Sequence, residues 1–422
     1  MRARLAAAVI VALSLPVACG DGTSPSPDAA APSTSEVIPT STYLPPSATT
    51  APSTRTVAPT PTSAAPPVGA SVMSPPLRAC QAGEAPALVA YARDDGSTAW
   101  STCQDGSAWR DLVGATETAV YLLQASSASG GPTNLGWLNL IAVDAGSGTE
   151  KWRVAMGGYS PFVPAGPVAA QGIVLTTLDD GAGHSIAGLD ADSGEVRWRV
   201  AATTDTQPLA SGDDVVVVRG PMATLSGFER ATGRQLWSVR ENARDAVVVD
   251  DVVVVAGQGP PVGLDIHSGA MLWQAASPPE GVPGRAGGGV LAWGGQDDPT
   301  SALDAATGAW LWSGKPGHAA YDNVWAVGDG AVFVVTDGGT VAYDLRSGRT
   351  RWKDDRGSYP RDEPWSVEGS DLFSVGEELA VFSTAKGARR WANPVPAARL
   401  HIQGLAAASN AVFVSFGEQM GD

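Results

Sequence analysis

A glycine four residues ahead of a tryptophan returns eight times along this chain, and no other feature restricts the fold as strongly. The pairs are Gly96/Trp100, Gly148/Trp152, Gly194/Trp198, Gly233/Trp237, Gly269/Trp273, Gly308/Trp312, Gly348/Trp352 and Gly387/Trp391. One copy reads Asp304-Ala-Ala-Thr-Gly308-Ala-Trp-Leu-Trp312. Gly is 50 of 422 residues and Trp 14, so chance supplies about two such pairs. Trp293 also has a Gly at that offset, but lacks the rest of the pattern and is set aside.

Most of the repeated tryptophans lie about 40 residues apart, the period of a four-stranded propeller blade. In the copy ending at Trp352, Val324 to Val327 and Ala331 to Val335 are strand-like runs. Asp337-Gly338-Gly339 reads as a hairpin turn, Val341-Ala-Tyr343 as a third strand, Asp344-Leu-Arg-Ser-Gly348 as a second turn, and Thr350 to Trp352 as the start of a fourth strand. An Asp side chain accepts backbone N–H groups of its own turn, and Gly takes the positive φ that such a turn needs. Asp stands at 144, 190, 265, 304 and 344, with Glu229 once; Ala92 and Ser383 replace it in the first and last copies. A large flat Trp at one point per blade is expected to pack between neighbouring sheets, and blades that cannot cover their own faces must stack in a closed ring.

Leu-Asp-Ala-Ala-Thr-Gly-Ala-Trp-Leu-Trp (303–312) and Leu-Asp-Ala-Asp-Ser-Gly-Glu-Val-Arg-Trp (189–198) resemble the repeat of the PQQ-like (pyrroloquinoline quinone) β-propeller superfamily, with its tryptophan-docking motif. The resemblance covers residues 78–422. The fold class expected is all-β: one eight-bladed propeller whose ring closes across the termini. Gly404-Leu-Ala-Ala-Ala and Ala411-Val-Phe-Val-Ser-Phe416 would supply the first two strands of the shared blade, residues 86–92 and 98–103 the last two. Shared closure leaves the ring without an open junction.

Ahead of the propeller, residues 1–19 read as an export signal: Arg2 and Arg4, an apolar stretch from Leu5 to Val17, then Val17-Ala18-Cys19-Gly20. The apolar stretch is short for a membrane span. The end resembles the lipobox of bacterial lipoproteins, which implies lipidation of Cys19, although Pro16 departs from the usual aliphatic residue. Residues 20–77 form a Pro/Ser/Thr/Ala-rich linker, with too few apolar anchors to offset the entropy of ordering. Fully extended it would reach about 170 Å at ~3.1 Å per residue. With Cys19 lipidated, Cys80 and Cys103 remain as an even pair in an oxidising compartment, and a disulfide pinning the start of the propeller is expected. The expected location is extracytoplasmic, with membrane attachment by the lipid alone.

The formal net charge of −16 argues against nucleic acid and anionic surfaces as partners. Alternating strand direction puts the tight Asp turns on one face of the ring and the long irregular loops on the other, where binding groups usually sit. That second face carries Trp137, Tyr159, Phe162, His318, Tyr321, Arg356, Tyr359, Arg361 and Trp365 as candidate binding residues. The alternative for each aromatic is to plug its loop against the ring.

The resemblance also implies a quinone-dependent dehydrogenase as an alternative function. Those enzymes use an adjacent Cys-Cys disulfide, a Ca²⁺ held by Glu and Asn oxygens, and a catalytic Asp. Cys80 and Cys103 stand 23 residues apart in this chain, and no Cys-x-x-Cys-His haem site is present. His184, His267, His318 and His401 are isolated, without zinc-ligand spacing. The doublets Asp179-Asp180, Asp213-Asp214, Asp250-Asp251 and Asp297-Asp298 fall where hairpin turns are expected and lack the spacing of a Ca²⁺ loop. The sequence therefore reads as a non-catalytic scaffold or binding propeller without catalytic residue, cofactor or metal. It is expected to be a monomer displayed on the envelope for a protein partner or small ligand; a ligand-sensing propeller is the other binding alternative. In size, anchor and blade count it resembles the lipoprotein propellers of the outer-membrane β-barrel assembly machinery, with a longer tether.

Overall fold

The repeat becomes a ring in the three-dimensional structure, a computed structural model. It describes residues 76–418 except 82–83, 85, 104–107, 128–134, 158–168, 180–182, 204, 258, 277–281, 295–299, 316–325, 337–338, 355–364, 376–377 and 396–399. All of them belong to one compact unit, Ala65–Asp422. They form eight antiparallel sheets, seven of four strands and one of five. We number the blades in chain order: blade 1 (residues 108–157), blade 2 (169–201), blade 3 (207–240), blade 4 (245–274), blade 5 (282–315), blade 6 (326–354), blade 7 (365–394), and blade 8, which joins the two ends.

Blade 6 shows how closely the local pattern dictates the sheet. Its strands are Ala326–Gly328, Ala331–Thr336, Gly339–Asp344 and Thr350–Asp354, in that order. The two central strands hold the buried runs, because both faces of a blade lie against neighbours. Phe333 of the second strand packs in one cluster with Ala326, Trp365, Leu372 and Phe382, which spans blades 6 and 7. Val332 and Val334 point the other way, towards Val290 and Ala292 of blade 5. Alternation along one strand thus serves two interfaces.

Blade 8 takes Leu400–Ala407 and Ala411–Glu418 from the carboxyl end and Leu88–Ala92 and Thr98–Cys103 from the amino end. The junction is the pairing of Leu88, Val89, Ala90, Tyr91 and Ala92 with Ser415, Val414, Phe413, Val412 and Ala411. A further short strand, Arg78–Ala79, pairs with Thr102 and Cys103 at the outer rim. The Cys80–Cys103 disulfide, with a Cα–Cα distance of 4.8 Å, fixes this fifth strand to the blade. Closing that loop removes denatured-state freedom equivalent to about 3 kcal/mol.

Each repeated Trp sits in the fourth strand of its blade and reaches into the next blade. The indole Nε1–H donates to a backbone carbonyl at 2.6–3.0 Å: Trp100 to Ala145, Trp152 to Ala191, Trp198 to Arg230, Trp237 to Ile266, Trp273 to Ala305, Trp312 to Leu345, Trp352 to Thr384, and Trp391 to Arg93. The last of these crosses from blade 7 to blade 8 and completes the circle. The accepting residue follows the first residue of the tight turn. Its own N–H bonds to the inner hairpin of the same blade, as Ile266 does to Asp251 O at 3.0 Å. One residue per blade therefore ties the outer strand of one sheet to the inner hairpin of the next.

The glycine of each pair belongs to this joint through the Trp of the preceding blade. Gly308 has φ +70°, and a Cβ there would lie 2.4 Å from Trp273 Cε3. The other seven repeat glycines share the positive φ and the same tight approach to an indole ring. In blades 1 to 6 the opposite side of the ring lies over a small residue of its own sheet: Gly188, Gly227 and Gly263 stand across from Trp198, Trp237 and Trp273, and Ala142, Ala302 and Ala342 from Trp152, Trp312 and Trp352. Flat rings clamped between two small residues permit close blade packing.

Candidate functional site

The tight turns are built from the residues the sequence singled out, and their chemistry is consumed locally. Asp144, Asp190, Asp265, Asp304 and Asp344 accept from the hydroxyl of the Ser or Thr three residues on, at 2.6–2.9 Å. In each turn the Gly N–H closes back on the first residue's carbonyl, as Gly308 does on Asp304 at 2.9 Å. Arg197 pairs with Asp190 and Arg351 with Asp344. These contacts hold the Asp190 and Asp344 carboxyls at about 2: Arg197 followed by Ser193 at the first, Ser347 followed by Arg351 at the second.

A carboxyl whose pKa is lower in the folded state stabilises above its ordinary value and loses that contribution as pH falls towards the folded value. The protein should therefore hold its melting temperature down to about pH 4 and lose it progressively towards pH 2. Asp344→Asn should flatten part of that decline in a calorimetric pH series. An unchanged decline would show that the turn carboxylates do not couple to folding.

On this turn face the inner hairpins of blades 3 and 4 enclose a cavity of about 330 Å³. Asp213, Asp214, Asp250 and Asp251 rim it, over the apolar side chains of Val248 and Ile266. The two expected doublets thus sit in hairpin turns, with Asp250 at φ 52°. His267 Nε2 lies 2.9 Å from Asp214 Oδ2, a contact that raises the imidazole pKa. The mouth is acidic and favours cations. Among the described residues, no three His, Cys, Asp or Glu side chains converge to hold a metal ion.

Two arginines that the sequence reading passed over lie at the accepting position of the joint. Arg230 is fully buried between blades 2 and 3. Its guanidinium donates to Ile173 O at 3.0 Å and Gly212 O at 3.1 Å, and burial lowers its pKa to about 10. It remains a cation at neutral pH. Arg93 locks blade 8 to blade 7, with Nε 2.8 Å from Asp371 Oδ2, Nη2 2.5 Å from Glu368 O, and its guanidinium 5.7 Å from the Phe373 ring centroid. The legible signal was an Arg after the first turn residue where most other copies carry Ala, Ile or Leu.

The opposite face is where the sequence placed its binding candidates. Tyr159, Phe162, His318, Tyr321, Arg356, Tyr359 and Arg361 lie outside the described residues. Trp137 is in the strand Leu135–Asp144 of blade 1. Trp365 opens the first strand of blade 7 and is only 4% exposed, in the cluster between blades 6 and 7. That position makes it part of the core, not of an open loop. Trp293, set aside earlier, is likewise core, edge-on to Trp310 with ring centroids 5.7 Å apart.

The sequence model of the family described as outer membrane protein assembly factor BamB matches residues 138–282 and 262–418. No curated protein matches the sequence. Among solved structures, BamB from Moraxella catarrhalis is 16% identical, covering 75% of this chain and 98% of that one, with a TM-score of 0.48. The computationally designed Ika8 protein is 13% identical over 74% of this chain and 100% of its own, with a TM-score of 0.51. A europium-containing methanol dehydrogenase is 13% identical over 70% and 81%, with a TM-score of 0.46. At these identities the likeness is one of fold alone.

Proposed function

The chain belongs to the family described as outer membrane protein assembly factor BamB, and from that premise we propose that it is a non-catalytic binding module of the cell envelope. Cys19 carries a lipid, residues 20–77 act as a tether, and the ring presents its surfaces to an envelope protein. The observation that carries this reading is the joint itself. The most regular residues are already engaged, Trp and Gly in holding blades together and Asp in closing its own turn, so the chemistry open to a partner lies where the repeat varies. The loop-face residues Trp137, Tyr159, Phe162, His318, Tyr321, Arg356, Tyr359 and Arg361 are the proposed contact set.

Photocrosslinking from positions 137 and 359 of the full chain, in the cells that make it, tests this directly. The expected result is a discrete adduct with one or a few envelope proteins from both positions. Quinone-dependent dye reduction by the purified protein with added Ca²⁺ and an alcohol or sugar would instead identify a dehydrogenase. Intact mass of the mature chain reports the Cys19 lipid in the same preparation.

A further inference from the structure

The outer wall of the ring is not uniform. In each blade the strand of the repeated Trp carries a bulge at the residue before it. In blades 1, 2, 6 and 7 it is Lys151, Arg197, Arg351 and Arg390. In blades 3, 4 and 5 it is Leu236, Leu272 and Leu311; Leu236 and Leu311 pack partly against the core, and Leu272 is exposed. Charged side chains on an exposed edge strand keep other strands from pairing with it. Blade 4 has none: its outer strand, Met271–Gln274, is uncharged throughout, and Met271 and Leu272 are 57% and 51% exposed.

The ring contains its own precedent for what covers such an edge. The fourth strand of blade 8, Thr98–Cys103, is likewise uncharged, and there the chain pairs Arg78–Ala79 with its last two residues, Thr102 and Cys103, as a fifth antiparallel strand. Blade 4 has no such cover among the described residues.

Charge says what kind of strand fits. In blades 2 and 6 the Arg before the Trp neutralises the turn Asp of the same blade, Arg197 with Asp190 and Arg351 with Asp344. In blade 4 Leu272 stands at that place. Asp265 has Ser268 on Oδ1 at 2.6 Å, and no Lys or Arg among the described residues bridges it. His267 next to it is turned to Asp214 of blade 3. The edge therefore ends in an ionised carboxylate that no Lys or Arg among the described residues neutralises. A second copy would bring another Leu272 and another Asp265, on a molecule of formal charge −16.

We propose that the outer strand of blade 4 accepts an extended segment of a partner protein as a fifth antiparallel strand, uncharged along the paired stretch and carrying at one end a Lys or Arg that lands on Asp265. Backbone pairing along the edge supplies affinity, Met271 and Leu272 take an apolar side chain, and the carboxylate sets polarity and end. This names the partner's chemistry and rests on the binding reading. It uses a surface separate from the loop face, so each can fail alone.

The test uses the full chain and a synthetic peptide of alternating Thr and Val, N-methylated along one edge so that it pairs with one strand only. The peptide carries Arg or Glu at the end that meets Asp265. Leu272→Arg rebuilds the arrangement of blades 2 and 6 and should keep the wild-type melting temperature. Leu272→Gln leaves the edge uncharged. Binding of the Arg peptide should be at least tenfold tighter than that of the Glu peptide, should weaken at least tenfold in L272R, and should stay within a few fold in L272Q. Equal binding of both peptides, no binding of either, or undiminished binding by L272R overturns the proposal. So does a dimer in sedimentation that L272R dissolves, or pelleting with anionic phospholipid vesicles that L272R abolishes, because either gives the surface another occupant. Loop-face crosslinks that persist in L272R show that the wider binding reading stands whatever the peptide does.

Discussion

A chain lacking residues 405–422 should not form the ring at all. The deletion removes the strand Ala411–Glu418, which pairs directly with Leu88–Ala92, together with Ser409 and Asn410, whose carbonyls accept from Arg93. Val412, Phe413, Val414 and Phe416 are each at most 1% exposed and serve both the blade 7 and the blade 1 interfaces. Burial of four such side chains contributes about 6–12 kcal/mol at 1.5–3 kcal/mol each. That is comparable with the whole net stability of a typical protein, about 5–15 kcal/mol. The remaining half-blade would leave Arg93 and Gly96, the dock for Trp391, on an unsupported hairpin. Circular dichroism and calorimetry should show loss of the cooperative transition. A melting curve unchanged from the full chain would mean that the ring does not depend on shared closure.

The second large effect is at the joint. Trp237→Ala empties the space between Gly227 and Gly269 and leaves the Ile266 carbonyl without its indole donor. Large-to-small changes of this kind cost about 3–5 kcal/mol, read as a lower denaturant midpoint. Gly269→Ala attacks the same joint from the other side. Its φ of +69° is strained for Ala, and the added Cβ would sit 2.7 Å from Trp237 Cδ2. The backbone component costs about 1–2 kcal/mol and the overlap about 1–3 kcal/mol more. The overlap disappears once the ring is gone. Gly269→Ala should therefore cost less in the Trp237→Ala background than alone, a coupling that a double-mutant cycle measures. Strictly additive costs would separate the two residues and contradict the joint.

Much of this architecture was legible because a repeat writes the same physical requirement many times. The period, the Asp turns, the blade shared between the termini and the Cys80–Cys103 bridge all follow from local chemistry and chain order. The docking partner was not legible in the same way. In sequence, Gly308 belongs with Trp312, four residues on. In space it closes on Trp273 of the blade before, and Trp312 closes on Gly348. Register between sheets is set by packing, which no window of residues contains. The fifth strand, Arg78–Ala79, is two residues long and has no alternation to reveal it. Trp365 looked like a loop aromatic because the sequence ahead of it shows no strand alternation, yet it begins a strand and fills the seam between blades 6 and 7.

The site follows the opposite logic. Binding groups that occur once leave no period, so composition and loop length were the only guides to the loop face. The outer wall of blades 3 to 5 was written in the sequence, as Leu before Trp in place of Lys or Arg, but its meaning depended on knowing that this residue lies on a bulged outer strand. Arg93 and Arg230 show the same dependence. Each is an exception to a small or aliphatic position, and only the structure shows the exception turned inward as a clamp.

Eight equivalent joints close one ring, with Trp391 joining the end of the chain to its beginning. Exchange of the indole N–H protons in ¹⁵N-tryptophan-labelled protein measures this directly. The Nε1–H of Trp391, bonded to Arg93 O at 2.9 Å, should exchange as slowly as that of Trp237, bonded to Ile266 O at 2.6 Å, both limited by global unfolding. A Trp391 indole that exchanges at the rate of an exposed side chain while Trp237 stays protected would mean an open ring.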